Sequence, residues 1–236
     1  MVVPVPGLLT AILDLVIGDG CAACAIPGPP LCDACRDSLP VLAAVGACHR
    51  CGHPWPAPVG ACGQCIPGVG WARQALAYDP PVPALVTALK DGHRRSLAAP
   101  LGALMAAHLG PPPAGVVLVP VPLARQRLAD RGFNQAALLA AVLSRQWGTP
   151  VRPVLDRAGH GPRQRGSSAR DRRAQVRGAF RAVGDVPLHA VLVDDVVTTG
   201  ATLSEAARVL RAAGAAHVGA VALTRVAVHP GSTRVG

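Results

Sequence analysis

Residues 190–214 read AVLVDDVVTTGATLSEAARVLRAAG, which is an apolar run, two aspartates, a turn of threonines with one glycine, and an amphipathic segment. The apolar run at 190–193 is typical of a strand in a parallel sheet. After the turn, apolar residues recur at helical spacing and predict a helix over 203–213 that ends at Gly214. The residues on its apolar face are Leu203, Ala206, Ala207 and Leu210. The stretch therefore predicts a strand, a tight turn and a helix in direct succession.

The turn between this strand and this helix has the composition of an anion-binding site. Backbone N–H groups without partners converge at a helix start, where the helix dipole also favours negative charge. Gly200 allows an anion to approach the backbone closely, and the threonine hydroxyls within 198–202 add donors. Asp194 and Asp195 would repel a phosphate, but they can accept hydrogen bonds from a sugar diol beside it. A phosphate next to a diol indicates a ribose 5-phosphate.

A second interpretation of the helix start needs no ligand. The run Thr202-Leu203-Ser204-Glu205 matches a capping box, in which two side chains satisfy the first amides of a helix. A capping box would account for Thr202 and Glu205, but not for two adjacent carboxylates at the end of a buried strand. Burying such carboxylates is costly unless a partner compensates them, which favours the ligand interpretation.

Alternating strand and helix patterns surround this stretch. Strands are predicted at 71–78, 116–119, 151–155 and 218–224, and helices near 85–89, 101–108 and 135–147. Such alternation specifies an α/β fold with a parallel sheet and crossover helices on its faces. Residues 157–176 are rich in Arg, Gly and Ser and fit neither pattern, so we interpret them as a long loop with a functional role.

All eight cysteines lie between residues 21 and 65, in four Cys-x-x-Cys pairs. The pairs are Cys21 with Cys24, Cys32 with Cys35, Cys48 with Cys51, and Cys62 with Cys65. Each pair can supply two thiolates from one turn, and two pairs complete a tetrahedral zinc site, so two structural Zn²⁺ ions are expected. Joining the first two pairs and the last two closes the shortest loops, although an interleaved pairing also satisfies the spacing.

Half of the 236 residues are hydrophobic, which is enough to bury the core of one α/β domain beside a small cysteine-rich module. The net charge of +10 suits a phosphate-rich partner, either a small molecule or a polymer. No segment approaches the roughly 20 apolar residues of a membrane span, and residues 2–17 lack the basic start of a secretion signal. We therefore expect a cytoplasmic protein without membrane insertion, in which cysteines serve as metal ligands more often than as disulfides.

The two aspartates and the turn resemble the signature of the type I phosphoribosyltransferases. The resemblance implies that Asp194 and Asp195 hold the ribose hydroxyls of phosphoribosyl pyrophosphate (PRPP), and that they act in catalysis together with Arg125. It further implies a pyrophosphate loop at 119–123 and a Mg²⁺ ion that accompanies the ligand. The PRPP-binding residues implied in this way are Asp194, Asp195, Val196, Val197, Thr198, Thr199, Gly200, Ala201, Thr202, Val121 and Pro122.

A finer resemblance connects the chain with the ComF family, whose members are phosphoribosyltransferase-like proteins associated with competence. It rests on the cysteine pairs, Leu89-Lys90, Arg127-Leu128, Arg131-Gly132-Phe133-Asn134-Gln135 and Val176-Arg177-Gly178-Ala179-Phe180. We accordingly divide the chain into an N-terminal helix at 1–20, a double zinc-ribbon module at 21–66 and a phosphoribosyltransferase-like domain at 67–236.

The resemblance implies two functions. In the first, the protein transfers the ribose-phosphate group to an unidentified acceptor, with Arg127 and Arg131 as further candidates for holding pyrophosphate. Purine-salvage relatives have a carboxylate in the turn where this chain has Thr198, which argues against a purine acceptor that uses that base. In the second, the protein is a DNA-uptake factor that binds single-stranded DNA, works with competence-type helicase or uptake proteins, and uses the ligand only as a regulator. Four arginines of the long loop would serve either as a lid over pyrophosphate or as a DNA track: Arg163, Arg165, Arg172 and Arg173.

Overall fold

The computed structural model describes residues 20–42, 48, 50–53, 62, 64–157 and 176–226. The predicted N-terminal helix lies outside the described residues apart from its last position, and so does the long loop except for its two ends. The predicted loop residues that lie outside the described part are Arg163, Arg165, Arg172 and Arg173.

A four-stranded parallel sheet forms the centre of the fold. The described strands are β1 Trp71–Ala77, β2 Val117–Pro120, β3 Leu155–Arg157, β4 Phe180–Ala182, β5 His189–Val197 and β6 His217–Arg225. The central sheet has the order β1-β6-β5-β2 with parallel neighbours, while β3 and β4 form a separate antiparallel pair. The predicted α/β fold with a parallel sheet is thus confirmed.

Helices connect the strands and cover the sheet. The described helices are α1 Asp33–Asp37, α2 Val82–Lys90, α3 Ala98–Leu109, α4 Arg125–Arg131, α5 Gln135–Trp147 and α6 Ala201–Ala212, with a 3₁₀ turn at Arg95–Leu97. α5 has the predicted bounds because the Asn134 side chain accepts a hydrogen bond from the Ala136 amide and Gly148, with a φ of 66°, ends the helix. None of the described helices is long and apolar enough to cross a membrane.

The structure differs from the sequence prediction at residues 151–155 and at helix α4. Within 151–155, Val151 forms only an isolated bridge to Leu118, and β3 begins at Leu155 and pairs with β4. Pro153 has no N–H group and cannot continue a ladder, which explains the interruption. The sequence does not predict α4, because this helix buries none of its residues and has no apolar face to detect.

The two faces of the sheet are covered by separate apolar cores. Side chains along β5 alternate between them, so that Val191 lies in one core and Leu192 in the other. Helices α2, α3 and α5 contribute to the first, which we call the α3 core, and α6 contributes to the second, the α6 core. Cys21 joins the α3 core, whereas Ile66 joins the α6 core. The front and back halves of the cysteine-rich segment therefore pack on different faces of the sheet.

Candidate functional site

A cavity of about 390 Å³ opens at the carboxyl end of β5. In parallel α/β sheets, ligands bind at this end of the strands. The predicted residues that line this ligand cavity are Val121, Pro122, Asp194, Asp195, Val196, Thr198, Thr199, Ala201 and Thr202. The structure thus brings the segment after β2 together with the acid pair (Asp194 and Asp195) and the threonine turn (198–202).

Among the described residues that the resemblance implies for PRPP binding or catalysis, three do not line the cavity. Val197 is buried in the α6 core, and Gly200 contributes backbone at the start of α6. Arg125 begins α4 and does not line the cavity. Its charge acts instead on Asp156, whose pKa is lowered mainly by the hydrogen bond from Arg181 and to a smaller extent by Arg125.

The start of α6 does not form the capping box that the sequence offers as an alternative. The helix begins at Ala201 behind Gly200, which has no side chain to act as a cap, and the Ala201 amide donates to Thr199 Oγ1 at 3.4 Å. Glu205 accepts hydrogen bonds from the Gly178 amide at 2.8 Å and from Arg208 at 2.8 and 2.7 Å, so it does not reach back to the helix start. The first turn of α6 therefore faces the cavity with the amides that a helix start leaves without intrahelical partners.

The two carboxyl groups of the acid pair differ in their electrostatic surroundings. Loss of hydration, followed by repulsion from Asp195, raises the pKa of Asp194 to about 8. Asp195 is buried, and its Oδ2 atom lies 2.6 Å from the Nζ atom of Lys90. In the ligand-free protein, Asp194 therefore retains a proton at neutral pH, while the charge of Asp195 is balanced by Lys90.

Lys90 is a cavity residue to which the sequence analysis gave no role. It is the last residue of α2 and lines the ligand cavity, although it is far from the acid pair in sequence. The resemblance to the ComF family includes Leu89-Lys90 but assigns the lysine no role. One signal was available in the sequence, because Lys90 is the only lysine in a chain whose other basic residues are arginines and histidines.

The candidate pyrophosphate arginines occupy different positions. Arg127 lines the ligand cavity and also an adjoining cavity of about 470 Å³, and Lys90 borders both. Arg131 lines only the adjoining cavity, where its guanidinium donates to Gln135 Oε1 at 2.9 Å and to Asp91 Oδ1 at 2.9 Å. Arg127 is therefore the arginine of this group with direct access to the ligand cavity.

The cysteines form two groups of four. The first cysteine cluster is Cys21, Cys24, Cys32 and Cys35, and the second is Cys48, Cys51, Cys62 and Cys65. Within each cluster, all four sulfur atoms lie within 4.8 Å of one another. This geometry corresponds to the pairing that closes the shortest loops, and it excludes the interleaved alternative.

The ionisation of these thiols fits a divalent cation. Burial opposes ionisation of Cys21, but backbone N–H donors, that of Cys32 first, lower its pKa to about 6. Hydrogen bonding with neighbouring thiols raises the pKa of Cys35 to about 12. The second cluster repeats this asymmetry, with a pKa of about 6 for Cys48, where amide donors outweigh burial, and about 12 for Cys51, where burial dominates. A bound cation would allow all four thiols of a cluster to ionise together, and a set of four sulfur donors fits Zn²⁺.

Comparison with known proteins agrees with this architecture. A family model described as "Phosphoribosyl transferase domain" matches residues 129–231. The DNA utilization protein YhgH of Salmonella typhi is 36% identical over 199 residues, which cover 80% of this chain and 87% of the relative. Competence protein F of Haemophilus influenzae is 41% identical over 113 residues, 46% of this chain and 49% of the relative. Competence protein ComFC of Bacillus subtilis is 36% identical over 118 residues, 46% of this chain and 44% of the relative.

The matched range includes β5, the threonine turn and α6, whereas the cavity-lining residues Lys90, Val121, Pro122 and Arg127 precede it. In fold, the chain is therefore a phosphoribosyltransferase-like protein. The similarity to the DNA utilization protein extends over most of both chains, and two cysteine clusters that fit a zinc-ribbon module precede the sheet. The chain belongs to the ComF family.

Proposed function

We propose that this protein binds PRPP in the ligand cavity and transfers its ribose 5-phosphate group to an acceptor that is still to be identified. The observation that carries this proposal is the start of α6, which forms no capping box and lies directly behind the acid pair, so that both line one cavity. A cavity of about 390 Å³ lies in the range of small-ligand sites. The proposal also includes Zn²⁺ as the metal of both cysteine clusters.

The chemistry of the lining residues supports one orientation of the ligand. The 5-phosphate would accept hydrogen bonds from the first-turn amides of α6 and from the hydroxyls of the threonine turn. The ribose diol would donate to the acid pair. The pyrophosphate would then extend toward Val121 and Pro122, where Lys90 and Arg127 supply positive charge. Carboxylate oxygens of the acid pair also suit the Mg²⁺ that PRPP carries on its phosphates.

During transfer, the bond between the anomeric carbon and pyrophosphate breaks, pyrophosphate leaves with the electron pair, and a nucleophile of the acceptor bonds to the same carbon. The acid pair would stabilise the positive charge that develops on the sugar. Lys90 and Arg127 would stabilise the leaving group, and Mg²⁺, when bound, neutralises part of its charge. Arg125 has no contact with the cavity, so we assign the pyrophosphate role to Arg127 in its place. Because residue 198 is a threonine, the acceptor must lose its proton to another base.

Calorimetry with PRPP and Mg²⁺ tests binding. The double variant Asp194→Asn with Asp195→Asn should lose about a hundredfold in affinity or more, because each hydrogen bond to a charged group is worth about 1.5–3 kcal/mol. A folded double variant that binds as tightly as the wild type would contradict the assignment. Incubation of the wild type with PRPP, Mg²⁺ and cell extract should then release pyrophosphate and yield a ribosylated product.

Binding of single-stranded DNA is a second candidate function. Relatives are named for DNA utilization and competence, and a groove of about 580 Å³ beside the second cysteine cluster is lined by Arg177, Arg208 and Arg211. Guanidinium groups that line one groove suit a phosphodiester backbone. Replacing Arg177 and Arg211 by alanine should reduce DNA affinity and the salt dependence of binding, by about one unit of slope per lost phosphate contact. Unchanged DNA binding in this variant would argue against the groove.

A further inference from the structure

The second cysteine cluster lies directly against the threonine turn. Ile66 follows Cys65, the last ligand of that cluster, and is 2% exposed. A Cβ atom built on Gly200 would lie 2.8 Å from Cγ1 of Ile66, so the isoleucine fills the space beside the backbone at the start of α6. Gly200 itself has a φ of +73°, a conformation that sets the direction in which α6 leaves the turn.

A buried arginine attaches the same cluster to the sheet. Arg225, at the end of β6, is 2% exposed and donates to the carbonyl oxygen of Cys51 at 2.9 Å and to that of Gln64 at 2.7 Å. These carbonyls belong to the two separate turns that supply the sulfur ligands. In the β5 and β6 register, Arg225 is paired with Val197, the residue immediately before the threonine turn. The metal-binding turns and the ligand-binding turn thus share one buried support.

Among the described contacts, none joins the first cysteine cluster to the threonine turn, although Arg94 donates to the carbonyl oxygen of Gly20, the residue before Cys21. Its segment bonds to the edge of β1, through the Leu42 amide to Ala75 and the Ala77 amide to Pro40, both at 2.9 Å. Cys21 packs in the α3 core, on the face of the sheet opposite to Ile66. The chain therefore contains two clusters of the same ligand set, of which one touches the threonine turn.

We propose that metal binding by the second cysteine cluster, acting through Ile66 and Arg225, positions the threonine turn and thereby sets the affinity for PRPP. Ile66 is a positioning residue in this proposal, and the effect on PRPP rests on the function proposed above. The physical reason is that four metal–sulfur bonds hold both turns of the cluster in place, and the turns hold Ile66 against Gly200. Without the metal, the amides of the first turn of α6 lose their fixed direction.

The test compares matched variants of the whole protein. Ile66→Ala and Leu210→Ala remove equal numbers of carbon atoms from the α6 core, but Leu210 lies near the far end of α6. Ile66→Ala should weaken PRPP binding about tenfold, the loss expected from one misdirected hydrogen bond. Leu210→Ala should bind within about twofold of the wild type, and Ile66→Val should recover most of the affinity. Equal losses in Ile66→Ala and Leu210→Ala would mean that general destabilisation is responsible and would overturn the proposal.

The metal dependence is tested with Cys62→Ser in the second cluster and Cys35→Ser in the first, which avoids chelators that also remove Mg²⁺. Each variant should retain one metal ion by elemental analysis. Amide hydrogen exchange at 199–203 should accelerate at least about tenfold in Cys62→Ser and Ile66→Ala, and should stay unchanged in Cys35→Ser. Unchanged exchange in Cys62→Ser and Ile66→Ala would overturn the proposal. If the wild type does not bind PRPP, the proposed function fails, yet the exchange measurement still decides whether the second cluster holds the turn.

Discussion

Replacing Asp194 by asparagine is expected to stabilise the ligand-free protein, although it removes a group that the proposed ligand needs. Loss of hydration and the charge of Asp195 raise the pKa of Asp194 from 3.8 to about 8. An unfolded chain ionises this carboxyl near its ordinary pKa. Between the two values the folded state binds more protons than the unfolded state, so the contribution of Asp194 to stability is most favourable at acid pH and becomes less favourable as the pH rises toward 8.

The expected gain in the free energy of unfolding of Asp194→Asn follows from this pKa shift. Each pKa unit corresponds to about 1.4 kcal/mol, so the shift from 3.8 to about 8 gives an upper limit of about 6 kcal/mol, reached above pH 8. Asp194 is partly exposed, and asparagine keeps the oxygen that accepts the Asp195 amide, so we expect a gain of about 2 kcal/mol. In a chain of this size, such a gain raises Tm by roughly 4–8 °C. At about pH 5 most of the gain should disappear, because Asp194 is then protonated in the folded wild type.

The neighbouring variant Asp195→Asn is the matched control and should have the opposite effect. Its carboxylate lies 2.6 Å from the Lys90 ammonium and is 3% exposed. Asparagine leaves the ammonium without its anion, which should cost about 1–3 kcal/mol. Thermal unfolding of the wild type and both variants at the two pH values provides the comparison. If both variants shift Tm in the same direction, or if the Asp194→Asn gain does not grow with pH, the unequal roles of the acid pair are refuted.

Three further outcomes are expected. Elemental analysis should find two zinc ions per chain, one for each cluster, and a lower content in the purified wild type would contradict the zinc assignment. Gly200→Ala should lower the free energy of unfolding by about 1–3 kcal/mol in thermal melts, since its φ is +73° and Ile66 fills the Cβ position; an unchanged Tm would argue against the contact. Lys90→Met should weaken PRPP binding about tenfold by calorimetry, while Arg36→Ala, on the half-exposed surface of α1, should bind like the wild type.

Local patterns were sufficient to predict most of the fold. The helix at 135–147 was predicted to the residue, because an Asn cap, a continuous apolar face and a terminal glycine all agree. The strand at 190–193 was predicted too short, since the pattern ends where Asp194 and Asp195 begin, although β5 continues through them to Val197. Polar residues at the end of a strand interrupt the apolar sequence pattern without ending the strand itself. Such an interruption is expected where the edge of a sheet forms part of a binding site.

The interactions between distant segments could not be predicted in this way. The contact of Lys90 with Asp195 and that of Ile66 with Gly200 join segments from opposite parts of the chain, and no periodicity encodes such a pairing. The capping box failed for a related reason. Glu205 matches the local motif, but Arg208 and the Gly178 amide offer it partners that the motif does not take into account. Local rules describe what a side chain is able to do, and tertiary contacts decide which of these interactions forms.

The proton on Asp194 links the stability of the fold to the identity of the ligand. A ligand whose diol and accompanying cation contact the acid pair must displace that proton, so its affinity should rise with pH until the pKa of Asp194, about 8, is passed. An anion that contacts only the threonine turn, such as inorganic phosphate, leaves the proton on Asp194 in place. Above the second pKa of phosphate, the affinity for phosphate should therefore not change as Asp194 ionises. If the affinity for PRPP rises with pH and the affinity for phosphate does not, the sugar contacts the carboxylates. Equal slopes for both would mean that the pH dependence arises from phosphate binding alone and that the acid pair does not contact the sugar.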